Sequence, residues 1–285
     1  MRLPRIAVVG AGTMGHGIAY IAALAGCDVA LTDSRADALP HATARIDELL
    51  AGAVTRGKLT EEGRTLVARR VRIERLLEDA VRDAGLVIEA VVEDLAVKQR
   101  LLAEIERAVP AGALLASHTS SFSIGQIATA LKEPGRLVGM HFFNPVHLMK
   151  LVEIVIHDGS GPGVSDRAVA FARQLGKEPI VVKDSPGFAS SRLGVVLGLE
   201  AMRMLEQGVA SAEDIDKAME LGYNHPMGPL KLTDLVGLDV RLAIAEYLHA
   251  TLKLPHYAPP AILKDKVKKG ELGKKAGRGF YTWSD

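Results

Sequence analysis

One histidine and one glutamate stand where the surrounding apolar sequence makes a polar group costly. Leu137-Val138-Gly139-Met140-His141-Phe142 puts His141 near the end of an extended apolar run, and Lys150-Leu151-Val152-Glu153-Ile154-Val155-Ile156 puts Glu153 inside the next. Buried glutamate is rare without a partner. On successive extended segments the two make a candidate carboxylate–imidazole pair, in which Glu153 fixes the tautomer and His141 exchanges a proton with substrate. Alcohol oxidation needs such a base, because the hydroxyl proton must leave the oxygen as hydride leaves the carbon. Taken alone, a histidine at a strand end also reads as a structural hydrogen-bonding residue.

A hydride acceptor is signalled at the start of the chain. Arg5-Ile6-Ala7-Val8-Val9 leads into Gly10-Ala11-Gly12-Thr13-Met14-Gly15, which opens an Ala/Ile-rich helix. In this pattern Gly10 makes the tight turn, Gly12 lets backbone approach a pyrophosphate, and Gly15 lets the helix lie close to the strand. The free N–H groups and dipole of the helix N-terminus then hold phosphate. Asp33 ends the next strand, at the spacing expected of an acid on the adenosine ribose hydroxyls. Its charge repels a 2′-phosphate, so NAD is expected over NADP, with Arg35 close enough to soften the preference. Asp33 beginning a turn is the plainer alternative.

Two further clusters follow strands. Ala116-Ser117-His118-Thr119-Ser120-Ser121 brings hydroxyls to a strand's carboxyl end, where turn formation and capping are the competing reading. In Ala90-Val91-Val92-Glu93-Asp94-Leu95-Ala96-Val97-Lys98, Glu93 and Asp94 suit a helix cap and Lys98 a solvated cation, unless they serve a ligand.

These positions require an open, mostly parallel sheet. Extended runs are expected at Arg5–Val9, Asp28–Thr32, Leu86–Glu89, Leu114–Ala116, Leu137–Phe142, Leu151–Ile156 and Ile180–Val182, with helical segments between them. Ala36–Arg70 reads as an inserted helical hairpin, broken at Gly57 and capped again at Thr60; Ser123 and Ser165-Asp166 mark two further helix starts. After Lys183 the strand signal stops. Helices are expected over Phe188–Gln207, Ser211–Leu221 and Leu230–Leu252. The expected class is therefore α/β: a Rossmann-like doubly wound sheet with a hairpin insertion over residues 1–183, then an all-α domain over 184–285.

The balance of 35 Lys and Arg against 34 Asp and Glu leaves no global field for nucleic acid or an anionic membrane, so neither is expected as a partner. Cys27 is alone, which rules out an internal disulfide, and it suits a small buried residue; no Cys/His spacing suggests zinc or another metal. Charged residues or glycines interrupt every apolar stretch short of a bilayer span. The first apolar run begins too early to leave room for a signal or transit peptide, so a cytoplasmic location is expected.

Taken together, GAGTMGHGIA, EAVVEDLAVK, ASHTSS, GMHFFNPVHLMKLVEIV, KDSPGF, HPMGPLKLTDLVGLD and GKKAGRGFY resemble the 3-hydroxyacyl-CoA dehydrogenase family across nearly the full chain. HFFNP favours its acyl-CoA members over their sugar-acid relatives. The resemblance implies His141 as catalytic base, Glu153 as its orienting partner, and Ser120 contacting substrate and cofactor. It implies NAD contacts at Asp33, Glu93, Lys98, Asn144 and Lys275, beside the turn of Gly10, Gly12, Thr13, Met14 and Gly15. In the hairpin, Arg56 replaces a usual CoA-contacting lysine and keeps its charge, whereas Leu49 replaces a serine and cannot make that bond. His118 and Ser191 stand where many members have asparagine. Serine can still donate to a substrate carbonyl, with shorter reach.

The implied reaction is oxidation of (S)-3-hydroxyacyl-CoA by NAD to 3-ketoacyl-CoA, and its reverse, by a homodimer acting on a short-chain substrate such as 3-hydroxybutyryl-CoA. Ser120 and Ser191 would polarise the oxygen. The alternatives are a dehydrogenase of free hydroxy acids and a non-catalytic NAD-binding protein that has kept the fold.

Overall fold

Ile6–Val9 (β1) is buried at all four residues, and the chain leaves it through the glycine turn into Thr13–Leu24 (α1). The computed structural model describes residues 5–284. Val29–Thr32 (β2) follows, then a hairpin of Ala38–Thr55 (α2) and Glu61–Ala68 (α3). Thr60 caps the second arm by accepting from the Gly63 N–H at 3.0 Å, as its sequence position predicts. Val71–Ile73 (β3) and Leu77–Val81 (α4) lead to Leu86–Glu89 (β4), Leu95–Ala108 (α5), Leu114–Ser117 (β5), Ile124–Ala128 (α6) and Leu137–Phe142 (β6). Leu151–Ile156 (β7), Val164–Gln174 (α7) and Glu178–Lys183 (β8) complete this part.

All the strands form one sheet, in the order β3-β2-β1-β4-β5-β6-β7-β8. Every pairing is parallel except that of β6 with β7. Because β1, β2, β4, β5 and β6 are covered on both faces, they read as continuous rather than alternating apolar runs. The chain grows outward from β1 to β3, then crosses back to β4 on the other side of β1. This Rossmann-like reversal opens a crevice beyond the carboxyl ends of β1 and β4. Two sequence expectations need correction here. Val71–Ile73 is an additional strand that the sequence does not announce, and α7 starts at Val164 after Gly163 (φ 74°) rather than at the Ser165 cap.

The contacts divide the chain after Asp184. Beyond it come Ser190–Glu206 (α8), Ala212–Gly222 (α9), Pro229–Val236 (α10), Leu238–Leu252 (α11) and Ala261–Lys268 (α12), around a core that includes Val195, Leu199, Met202, Leu230, Leu238, Leu248 and Leu263. The single helix expected over Leu230–Leu252 is two, since Gly237 takes φ 102° between them. Buried Asp234 binds the final segment, accepting from Phe280 N at 2.8 Å, Tyr281 N at 2.9 Å and Trp283 Nε1 at 2.8 Å. Among the described residues no helix is long and apolar enough to cross a membrane.

Candidate active site

The glycine turn is built so that only one of its three glycines faces open space. Gly10 has φ 107°, and a Cβ there would lie 2.5 Å from the Ala90 carbonyl oxygen. A Cβ on Gly15 would collide with the Gly10 carbonyl oxygen, whereas one on Gly12 would meet nothing within 4 Å. The turn is thus packed on its protein side and bare where a pyrophosphate would approach. Asp33 braces it: Oδ2 accepts from Ala11 N at 2.7 Å and Oδ1 from Arg35 N at 2.8 Å. The carboxylate therefore does initiate a turn, and it also lines a cleft of about 790 Å³ together with Gly10, Gly12 and Val91. An adjoining hollow of about 360 Å³ is bounded by Thr13, Met14, Glu93, His118 and Ser120. An extended dinucleotide suits this pair of spaces: room for a ribose at Asp33, bare backbone at Gly12, and polar side chains beyond.

His141 and Glu153 lie directly opposite each other in the antiparallel pairing of β6 with β7. His141 Nδ1 is 2.7 Å from Glu153 Oε2, with Glu153 fully buried. A proton on Nδ1 satisfies that carboxylate and leaves Nε2 as the nitrogen for proton exchange. Phe143 packs on the imidazole, the ring centroids 4.6 Å apart.

Lys98 is not the solvated cation that its local sequence allowed. Its side chain is fully buried and reaches Glu89 Oε1 at 2.8 Å, Glu93 Oε2 at 3.3 Å and the His118 carbonyl at 3.2 Å. Glu89, which sequence reasoning does not single out, also accepts from Ser117 Oγ at 2.6 Å and Val91 N at 2.8 Å. Burial pushes its carboxyl up, against the pull of Lys98 and those donors. Burial also opposes ionisation of Glu93, but there Lys98, Thr119, Ser121 and the Ser120 N–H prevail and hold the carboxyl below its ordinary value. Glu93 so gathers the loop after β5, accepting from Thr119 Oγ1 at 2.5 Å, Ser121 Oγ at 2.9 Å and Ser120 N at 3.1 Å. Asp94 does cap α5, accepting from Val97 N at 2.9 Å.

His118 ties these two clusters together. Its ring stacks on that of His141, centroids 5.8 Å apart, and its Nδ1 accepts from Phe142 N at 3.3 Å. Burial first, then the nearby His141 and Lys98, drives its pKa down to about 3, so the ring is neutral near pH 7.

The remaining expected site residues lie as follows. Asn144 is exposed and borders a hollow of about 340 Å³ with Thr13, Leu49 and His147. Arg56 ends α2 and lays its guanidinium over Gly52, where a Cβ would meet Nη1 at 3.0 Å. Ser191 is in the first turn of α8, and Lys275 is ion-paired with Asp239 at 2.6 Å, both in the helical unit. Among the described residues no group of His, Cys, Asp and Glu could hold a metal ion.

Comparison with known proteins covers both units. Residues 5–185 match the family model described as 3-hydroxyacyl-CoA dehydrogenase, NAD binding domain, and residues 187–283 match that of the C-terminal domain. The chain is 44% identical over 283 residues to 3-hydroxybutyryl-CoA dehydrogenase of Mycobacterium tuberculosis, covering 99% of each. It is 42% identical to a probable 3-hydroxybutyryl-CoA dehydrogenase of Bacillus subtilis, covering 100% of this chain and 99% of that protein. Among solved structures, (S)-3-hydroxybutyryl-CoA dehydrogenase from Ralstonia eutropha superposes with a TM-score of 0.95 at 38% identity, covering 99% of this chain and 100% of the other.

Proposed function

Because the chain belongs to the 3-hydroxyacyl-CoA dehydrogenase family, we propose that it interconverts (S)-3-hydroxyacyl-CoA and 3-ketoacyl-CoA with NAD, using short substrates such as 3-hydroxybutyryl-CoA. The observation that carries this reading is the opposed His141–Glu153 pair, set in the same sheet as the dinucleotide turn. In oxidation, His141 takes the substrate hydroxyl proton on Nε2 while Glu153 stabilises the imidazolium that forms; in reduction the proton returns. Bound NAD supplies the hydride acceptor. Ser120 and Ser191 donate to the C3 oxygen, where negative charge develops.

Gly10, Gly12, Thr13, Met14 and Gly15 receive the pyrophosphate end of the cofactor, and Asp33 its adenosine ribose. Glu93, Ser120, Asn144 and Lys275 contact the cofactor as the resemblance implies. Lys98 acts through Glu93 instead of touching NAD, since its side chain is wholly buried. Arg56 offers a cation to a CoA phosphate. A cytoplasmic homodimer is the accompanying reading, to be tested by fractionation and sedimentation.

The deciding experiment follows NADH loss with acetoacetyl-CoA and with free acetoacetate. Rapid turnover of the thioester and little of the free acid is expected. Equal rates would favour a free hydroxy-acid dehydrogenase, and no turnover of either would favour a binding protein.

A further inference from the structure

The hollow of about 340 Å³ beside Asn144 is bounded by α1, α2 and the loop after β6, and two histidines, His16 and His147, stand in its wall with Arg45 and Leu49. The loop is held from two sides. Buried Lys177 donates to the Val146 and Met149 carbonyls, and Val146 lies so close over α1 that a Cβ on Gly17 would strike its Cγ2 at 2.8 Å. His147 stands edge-on to Tyr20 of α1, ring centroids 6.1 Å apart.

The charges that His147 feels most strongly are all positive. Burial lowers its pKa first, and Arg56, Lys177, His16 and Lys58 each lower it further. His16 is lowered too, chiefly by burial, with Arg45 acting in the same direction and the Gly12 carbonyl and Glu48 against it. Glu48 also lines the hollow, but it is already paired with Arg45 at 2.7 Å. His16 Nδ1 lies 2.9 Å from the Gly12 carbonyl oxygen. A carbonyl only accepts, so Nδ1 carries the proton and Nε2 can donate only when the ring is charged.

We propose that His16 and His147 bind a phosphate of the coenzyme A moiety, so that the preference for CoA thioesters over phosphate-free thioesters strengthens as pH falls. This rests on the proposed reaction, in which Arg56 offers its cation to the same end of the substrate. A phosphate in the hollow offsets the surplus of cations and favours the charged form of both imidazoles, so its binding takes up protons. Affinity therefore rises as pH drops through the range in which the free histidines are neutral and the occupied ones charged.

The test compares kcat/KM for acetoacetyl-CoA with that for acetoacetyl-pantetheine, at saturating NADH, from about pH 8 to about pH 5.5. Both thioesters offer the same carbonyl to His141, so its titration cancels in their ratio. The CoA-to-pantetheine ratio of the wild type should rise roughly 10-fold over that range, the lower end for hydrogen bonds to charged groups. The substrate's 3′-phosphate itself titrates near about pH 6 and loses charge as pH falls, which works against this rise. In the double variant His16→Asn, His147→Gln only that substrate effect remains, and the ratio should fall. His147→Lys, charged throughout, should hold a high ratio at the alkaline end, and it keeps the test open if the double variant fails to fold. A wild-type ratio that runs parallel to that of the double variant, or a His147→Lys ratio no higher than wild type at about pH 8, overturns the inference and leaves the reaction standing. Turnover of neither thioester overturns both.

Discussion

Replacing Lys98 with methionine removes the cation shared by Glu89 and Glu93 while keeping most of the buried volume. It breaks the ion pairs at 2.8 Å to Glu89 and 3.3 Å to Glu93. Breaking a buried ion pair from one side costs about 3–5 kcal/mol, because the remaining charge is left without compensation. Glu89 keeps its bonds from Ser117 and Val91, which places the expected loss near the lower end, about 3 kcal/mol. That is a large part of the roughly 5–15 kcal/mol that holds a typical domain. Urea unfolding of the full chain measures it as a lower midpoint at unchanged slope. A pH series adds a sign. Without Lys98 the Glu89 carboxyl, already raised by burial, should take a proton more readily in the folded than in the unfolded state, so the deficit should shrink as pH falls. Lys98→Met with Glu89→Gln should recover much of the loss, since no buried charge then remains at that pair. A single-variant loss below about 1 kcal/mol, with no recovery in the double variant, would refute this account of the network.

His141→Ala should lower kcat by roughly 10²–10⁴-fold while NADH affinity, measured by fluorescence titration, changes little; near-normal turnover would remove His141 as the base. Initial rates should favour NADH over NADPH because the Asp33 carboxylate lining the cleft would repel a 2′-phosphate, and equal efficiencies would show that exposed Arg35, 3.9 Å from that carboxylate, overrides it. His118 has a folded-state pKa of about 3 against an ordinary 6.5, so the unfolded chain binds the proton first and stability falls as pH drops between those values. His118→Asn carries no such proton and should flatten the acid limb of a stability–pH curve; parallel limbs would show that His118 is not its source.

The strands that carry the site are legible because burial on both faces leaves long apolar runs, in which His141 and Glu153 stand out. Glu89 gives a similar signal at the end of Leu86–Glu89, but a strand's last residue is equally well placed to enter solvent. Its role emerges only when β4 and β5 pair and set Glu89 beside Ser117. Val71–Ile73 is illegible for another reason: Arg72 interrupts a three-residue edge strand that is held by pairing with β2. At Gly237 the apolar period continues unbroken, and the break appears only in the backbone, where a Cβ would crowd Asp239 at 3.0 Å and Lys275 at 3.2 Å.

The opposition of His141 to Glu153 makes the arrangement digital. Side chains alternate between the two faces of a sheet, so deleting one residue within β6 or β7 would slip the register and turn one partner to the wrong side. Residues 143–150, which join the strands, carry no such alternation, but buried Lys177 holds the Val146 and Met149 carbonyls and so fixes where the loop runs. What the pairing requires is therefore a parity within each strand, while the loop between them is held by position rather than by alternation.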